Sequence, residues 1–217
     1  MAEAKICGLT RADDVAVAVD AGAALVGAIL FPGSKRAVAP ARLAELFAPA
    51  RGRALRVAVT VDPDDALLDA LAAGGALDLI QLHGHEDPAR VAAVRARTGL
   101  GVVKALAVAG AADLERAAGY AALADRLLLD AKAPPGAVPG GNGIAFDWTL
   151  VQAHAPAGRW GLAGGLDARG VAAAVALTGA GWVDVASGVE TAPGIKDHDA
   201  VRTFVERARA AHAEGRA

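Results

Sequence analysis

Short apolar runs alternate with longer amphipathic segments from one end of the chain to the other. Runs that are apolar throughout are typical of parallel strands buried on both faces, and apolar residues at helical spacing indicate the covering helices. Helices are predicted, among other places, at Arg11 to Ala21, Pro63 to Ala73, Asp87 to Arg97 and Asp167 to Thr178. The predicted strands are Lys5 to Cys7, Leu25 to Leu30, Arg56 to Val61, Leu77 to Leu82, Gly101 to Leu106, Arg126 to Asp130, Arg159 to Ala163 and Trp182 to Val185.

This strand–helix repeat predicts an α/β fold, a single (β/α)8 TIM barrel, because eight such units fit a chain of 217 residues. An open, doubly wound sheet is the alternative. It fits less well, since the first strand–helix turn, Cys7-Gly8-Leu9-Thr10, lacks the Gly-x-Gly-x-x-Gly pattern of dinucleotide-binding sheets. No linker or low-complexity segment divides the sequence, so we predict one catalytic domain over residues 1–217.

Two helix starts and one long loop are also marked in the sequence. The pairs Asp62-Pro63 and Asp87-Pro88 are typical of an N-cap followed by proline at the first helical position.

The stretch from Ala131 to Ala145 is rich in Pro and Gly and follows the sixth predicted strand. Long irregular loops in compact domains are usually functional or disordered, so this loop is expected on the catalytic rim.

Cys7 ends the first predicted strand and Asp130 ends the sixth. In a barrel of this kind the carboxyl ends of all strands lie on one rim, where active sites form. The functional interpretation is a general base at Cys7 and a general acid at Asp130. The alternatives are a cysteine that only packs as a small apolar residue, and an aspartate that caps a helix or pairs with Lys132. A thiol needs nearby positive charge to act as a base, and Arg36 is the expected source.

Two further residues at the predicted rim have side chains suited to ligand binding. Arg36 follows the second strand, where its guanidinium is suited to a substrate carboxylate or is simply solvated. His83 follows the fourth strand and either lines the pocket or makes structural hydrogen bonds.

Glycine-containing turns follow the last two strands, at Gly164-Gly165 and Ser187-Gly188. Barrels commonly bind phosphate at the loops after strands seven and eight, because glycines let backbone N–H groups approach the anion. Gly141 and Asn142, in the long loop, would either add donors to this site or form a flexible tip.

The composition argues against several other classes of protein. A net charge of −2 gives no overall attraction to nucleic acid or to an anionic membrane, and the sequence shows no signal peptide or membrane-spanning run. One cysteine fits a reducing, cytoplasmic compartment. We expect a small molecule that carries a phosphate as substrate, no nucleic-acid or membrane partner, and a monomer or homodimer. The remaining histidines show no metal-site spacing; they are His85, His154, His198 and His212.

A series of motifs runs along the chain from the first strand to the last: Lys5-Ile6-Cys7-Gly8-Leu9-Thr10, Pro32-Gly33-Ser34-Lys35-Arg36, Gln81-Leu82-His83-Gly84, Leu128-Leu129-Asp130, Gly140-Gly141-Asn142-Gly143, Phe146-Asp147-Trp148, Ala163-Gly164-Gly165-Leu166 and Val183-Asp184-Val185-Ala186-Ser187-Gly188-Val189-Glu190. In this order the motifs resemble those of the phosphoribosylanthranilate isomerase family, single-domain barrel enzymes of tryptophan biosynthesis, which implies a small-molecule phosphosugar substrate. There are departures: Ala186 stands where the family often has Ser, Asn142 stands where it often has Thr or Ser, and the loop from Pro134 to Pro139 looks enlarged.

The resemblance implies an Amadori rearrangement without a cofactor. The substrate would be N-(5-phosphoribosyl)anthranilate and the product 1-(2-carboxyphenylamino)-1-deoxyribulose 5-phosphate. Cys7 would be the base, Asp130 the acid and Arg36 the group that binds the anthranilate carboxylate, with the glycine loops on the phosphate. Asp184 would hold substrate hydroxyls or order a rim loop.

Two other functions remain as alternatives. One is another phosphosugar isomerase barrel, such as the histidine-pathway enzyme, which performs the same chemistry but has aspartate where Cys7 stands here. The other is a non-catalytic barrel that binds a phosphate ligand. Such a protein would keep the glycine loops but would not need both Cys7 and Asp130.

Overall fold

The computed structural model describes residues 1–131 and 147–214. Eight parallel strands close into a barrel in the order of the sequence, which confirms the predicted fold. Each strand pairs with its neighbours in sequence, and the eighth closes on the first, with Lys5 opposite Asp184. The strands are β1 Glu3–Ile6, β2 Leu25–Ile29, β3 Leu55–Thr60, β4 Leu79–Leu82, β5 Gly101–Val108, β6 Arg126–Ala131, β7 Trp160–Leu162 and β8 Trp182–Val185.

Helices cover the outside of the barrel, and a small antiparallel hairpin follows β8. The hairpin strands are β9 Glu190–Ala192 and β10 Ile195–Lys196. The helices are α1 Ala12–Asp20, α2 Leu43–Leu46, α3 Asp65–Ala73, α4 Pro88–Thr98, α5 Ala111–Arg116, α6 Thr149–His154, α7 Val171–Thr178 and α8 His198–Glu214. The four helices predicted by name are present, with ends that differ by up to four residues.

One of the two predicted helix starts is wrong. Asp87 caps α4 as expected, accepting a hydrogen bond of 2.7 Å from the Arg90 backbone N–H. The cap of α3 is Asp64, not Asp62, and it accepts from Leu67 N at 2.8 Å. Asp62 instead has a φ of 44° and accepts a hydrogen bond from His85 N at 2.7 Å, so it joins the β3 and β4 loops.

Two apolar layers hold the barrel together. The larger lies between the strands and the helices. The smaller fills the barrel interior, where residues that alternate along the strands point inward, among them Leu25, Val57, Leu79, Val103, Leu128 and Trp182.

The amino-terminal end of the barrel is closed by charged and aromatic side chains. Arg126 donates to Glu3 Oε2 at 2.5 Å, and its guanidinium lies 5.9 Å from the ring centre of the buried Trp182. Arg159 binds the other oxygen of Glu3. The opposite, carboxyl-terminal rim is therefore the end at which a ligand can approach. Within the described ranges, none of the helices combines the length and the apolar character needed to cross a bilayer.

Candidate active site at the carboxyl rim

Cys7 lies just beyond the end of β1, where its backbone N–H donates to Val185 O at 2.8 Å. Its thiol is buried and faces the same side of the strand as Lys5, two residues earlier. The Lys5 ammonium is fully buried and lies 3.0 Å from Asp184 Oδ1. Burial raises the pKa of the Cys7 thiol, while the neighbouring positive charge of Lys5 counteracts that rise.

Asp130 lies in β6 and is 6% exposed. One carboxylate oxygen is 3.1 Å from His83 Nε2, and His83 Nδ1 is 3.0 Å from Gln81 Nε2. If the Gln81 amide donates to Nδ1, the ring proton sits on Nε2 and is donated to Asp130. His83 thus makes a hydrogen bond to the expected acid. Lys132, the alternative partner for Asp130, lies outside the described residues.

The structure places these side chains at one end of the barrel. Because all eight strands are parallel, Cys7 after β1, His83 after β4 and Asp130 near the end of β6 lie on the same rim. Asp184 joins them through its pairing with Lys5 across β8 and β1. The sequence-predicted thiol and carboxyl groups therefore share one rim.

Arg36 is held in place by a carboxylate from the β8 side of the rim. Its Nε donates to Glu190 Oε1 at 2.9 Å, and its Nη2 donates to Glu190 Oε2 at 2.7 Å. Lys196 binds the same carboxylate at 2.7 Å and also donates to Ala186 O at 2.9 Å. The hydrogen bonds to Glu190 raise the pKa of Arg36. Within the described part of the chain the guanidinium uses only its Nε–Nη2 edge, which leaves the Nη1 side for a ligand.

The two glycine turns lie side by side. Gly164 and Gly165 directly follow β7 and Ala163, with φ values of 86° and 64°. Ser187 and Gly188 form a 3-10 turn after β8. A Cβ at Gly188 would lie 2.0 Å from Leu166 O, so the two loops can approach this closely only because position 188 has no side chain. Gly141 and Asn142, with nearly all of the predicted 131–145 loop, lie outside the described residues.

Four side chains at the rim had no role predicted from the sequence. Arg36 was predicted as the cation that acts on Cys7, and the two groups do interact. Lys5 was not predicted, and its ammonium borders the same space beside Gly27 as the Cys7 sulfur. The signal was present, because a lysine two residues before a strand-end cysteine points to the same face. Lys196 was missed because the β9–β10 hairpin interrupts the one-strand, one-helix pattern. Glu190 ends a quoted motif but was not assigned a partner. Gln81 stands in a quoted motif but was not assigned a partner.

No group of three or more His, Cys, Asp or Glu side chains arranged to hold a metal ion occurs in residues 1–131 and 147–214. The groups that the rim offers are a thiol, carboxylates, an imidazole, ammonium and guanidinium cations, and glycine-rich backbone. This set is suited to proton transfer on an anionic substrate.

Comparison with protein families supports the same conclusion. Residues 4–207 match the sequence model of PRAI, N-(5'phosphoribosyl)anthranilate (PRA) isomerase. An N-(5'-phosphoribosyl)anthranilate isomerase of Paramagnetospirillum magneticum is 53% identical over 208 residues, covering 95% of this chain and 97% of its own. The protein of that name in Paracoccus denitrificans is 54% identical over 207 residues, covering 95% of this chain and 96% of its own.

Solved structures agree. The phosphoribosyl anthranilate isomerase of Thermotoga maritima has a TM-score of 0.86 and 32% identity, covering 97% of this chain and all 100% of its own. A phosphoribosyl anthranilate isomerase in complex with reduced 1-(o-carboxyphenylamino)-1-deoxyribulose 5-phosphate has a TM-score of 0.83 and 31% identity, with 97% and 100% coverage. The match in motifs, fold and near full-length sequence shows that this chain belongs to the N-(5'-phosphoribosyl)anthranilate isomerase family.

Proposed function

We propose that the chain catalyses the Amadori rearrangement of N-(5-phosphoribosyl)anthranilate in tryptophan biosynthesis, with Cys7 as general base and Asp130 as general acid. The activity follows from family membership over residues 4–207. The observation that supports the two residue roles is that a thiol and a carboxyl group, both largely buried, lie on the same rim of the barrel.

The proposed chemistry proceeds in four proton movements. Asp130 donates a proton to the furanose oxygen, the C1–O bond breaks, and the nitrogen lone pair forms a C1=N iminium. The iminium acidifies the C2 proton, which passes to the Cys7 sulfur, while the C2–H electron pair forms the C1=C2 bond of an enaminol and neutralises the nitrogen. Protonation at C1 and loss of the enol proton then give the ketone. No oxidant or reductant is consumed.

Substrate binding is proposed to use the two sides of the rim. The Nη1 side of Arg36 would bind the anthranilate carboxylate, while Glu190 holds the guanidinium on its other edge. Backbone N–H groups at Gly164, Gly165 and Gly188, with the nearby Ser187, would bind the phosphate. The relative in complex with the reduced product analogue carries both of these groups on its ligand.

Other side chains have supporting roles in this proposal. His83 would orient Asp130 through the 3.1 Å contact and line the pocket. Asp184 would hold substrate hydroxyls or order the rim through Lys5. Gly141 and Asn142 would add backbone donors to the phosphate. We also propose that residues 1–217 form one catalytic domain that works in the cytoplasm as a monomer or homodimer.

The experiment that tests the activity presents two substrates separately to the purified chain. Loss of N-(5-phosphoribosyl)anthranilate is followed by fluorescence, and isomerisation of the histidine-pathway aminoaldose by absorbance. The proposal predicts turnover of the first substrate. Turnover of only the second would favour the histidine-pathway alternative, and tight binding of a phosphosugar without turnover of either would favour the non-catalytic barrel.

A further inference from the structure

Lys5 occupies an unusual position for a lysine. It is fully buried inside the barrel, although an ammonium group loses favourable hydration when it leaves water. Its ion pair to Asp184 Oδ1, at 3.0 Å, offsets part of that loss. Surface lysines are the norm in folded proteins, so a buried one at an active-site rim calls for a specific partner.

The second partner is the sulfur of Cys7. At Gly27 on the neighbouring strand β2, a Cβ atom would lie 3.1 Å from Lys5 Nζ and 3.3 Å from Cys7 Sγ. The ammonium and the sulfur therefore border the same small space, which exists because position 27 has no side chain. Burial would lower the pKa of Lys5, but the neighbouring Asp184 and Cys7 side chains raise it.

The charges around Cys7 are unequal when the thiol is neutral. Three cations interact electrostatically with Cys7: Lys5 from β1, Arg36 from the β2 loop and Lys196 from β10. Two carboxylates oppose them, Asp184 on Lys5 and Glu190 on the other two cations. Within the described residues, a Cys7 thiolate supplies the third negative charge and makes this buried group of six side chains neutral.

We propose that Lys5 is a positioning residue that stabilises the thiolate form of Cys7 inside the barrel. Its ammonium is shared between Asp184 and the sulfur, so Asp184 limits how strongly it acts. The use of that thiolate as the base for the C2 proton rests on the proposed function. The thiolate's stability does not depend on turnover and can be measured alone.

The competing interpretation is structural. Lys5 would then only neutralise Asp184 and fill the barrel, and the ionisation of Cys7 would not depend on it. The two interpretations differ in the direction in which two substitutions move the thiol's titration. Removing Lys5 removes a charge that favours the thiolate, whereas removing the Asp184 charge removes one that disfavours it.

The test is a spectroscopic titration of the thiolate in the full-length chain, which is simple because the sequence has one cysteine. Ultraviolet absorbance is recorded against pH for wild type, Lys5→Met and Asp184→Asn, each with a Cys7→Ser counterpart as blank. Lys5→Met is expected to raise the titration midpoint by about one pH unit or more, roughly a tenfold change in the thiol–thiolate ratio, and Asp184→Asn to lower it. Lys35→Met removes an exposed charge from the same rim and is expected to leave the midpoint unchanged.

The same variants are assayed for kcat/KM across pH. The inference predicts that the acidic limb of the profile moves with the spectroscopic midpoint. An unmoved midpoint in Lys5→Met, or an upward shift in Asp184→Asn, would overturn it. If Lys5→Met does not fold, Asp184→Asn still tests the inference, because an upward shift of its midpoint would overturn it. A chain without isomerase activity whose midpoint still shifts as described would contradict the proposed function and leave the thiolate inference standing.

Discussion

At the scale of single residues, the rim is built from side chains whose position is set by partners rather than by their own strand. The Arg36 guanidinium is fixed by Glu190, which is itself shared with Lys196. Cys7 and Asp130 were predictable because strand ends in a barrel share one rim. Their partners were harder to predict, since Glu190 is more than 150 residues from Arg36 in sequence. Lys5 was missed because lysine is rarely buried.

Arg36→Ala is expected to raise KM for phosphoribosylanthranilate with a smaller effect on kcat. A charge-assisted hydrogen bond to a carboxylate is worth roughly 1.5–3 kcal/mol, which corresponds to a KM rise of about 10- to 160-fold if binding is uniform. Steady-state kinetics measure it. Arg42→Ala is the control, since Arg42 has a half-exposed side chain 3.9 Å from Glu45. An unchanged KM in Arg36→Ala would show that the guanidinium does not bind substrate.

The Glu190 carboxylate also makes stability depend on pH. Burial alone would raise its pKa, but the hydrogen bonds from Arg36 and Lys196 outweigh burial and hold the pKa of Glu190 below its ordinary value. The folded chain therefore binds fewer protons than the unfolded chain at acidic pH. The resulting stability is fully present above the unfolded pKa of about 4.3 and is lost as pH falls through the lower folded value.

Glu190→Gln is accordingly expected to lower the free energy of unfolding at neutral pH and to flatten its decline on acidification. Urea unfolding over a series of pH values below neutrality measures this. Glu45→Gln, at an exposed carboxylate, is expected to follow wild type. A Glu190→Gln curve parallel to that of wild type would mean that Glu190 has no perturbed titration.

At the scale of elements, two loop contacts shape the rim. The β7 and β8 loops meet at Gly188, and the β3 and β4 loops meet around Glu86, which accepts from Asp62 N at 2.9 Å and Gly84 N at 3.0 Å. The Lys104 ammonium, buried below the β4 loop, binds Glu86 Oε2 at 2.7 Å. The glycine turns were predictable from their place after strands seven and eight. The Glu86 contacts were not, because they join three separate loops and strands.

Gly188→Ala should separate the β7 and β8 loops, because its Cβ would lie 2.0 Å from Leu166 O. If these loops bind the phosphate, KM rises by roughly tenfold or more while the barrel stays folded. Kinetics and thermal unfolding together measure the effect. Gly110→Ala is the matched control, since a Cβ there meets nothing within 4 Å. Normal KM in a folded Gly188→Ala would contradict the assignment of the phosphate site.

Lys104→Met should destabilise the chain strongly. The substitution leaves the Glu86 carboxylate buried without its cation, and breaking a buried ion pair in this way costs about 3–5 kcal/mol. Urea unfolding of Lys104→Met measures the loss. Arg53→Ala breaks an exposed pair with Asp20 and is expected to cost less than about 1 kcal/mol. Equal losses of unfolding free energy in the two variants would show that the Lys104–Glu86 pair stabilises the fold no more than an exposed pair does.

At the scale of the whole molecule, the barrel was the part most readily predicted from sequence. Eight apolar runs fixed the strand count, and the lack of a dinucleotide fingerprint favoured closure over an open sheet. The errors were local, as at the cap of α3, where Asp64 replaced Asp62 because Asp62 bonds to the β4 loop. The hairpin after β8 was unpredictable from the repeat. Residues 132–146 lie outside the described ranges, so the predicted place of this loop on the rim stays a prediction.

The proposed reaction depends on one acid and one base that act on the same sugar. The most direct measurement is kcat for Cys7→Ala and Asp130→Ala with phosphoribosylanthranilate, on variants whose circular dichroism matches wild type. Each is expected to fall by about 100-fold or more, the scale of lost general acid–base catalysis. Near wild-type turnover in either folded variant would contradict the assignment of that residue to proton transfer.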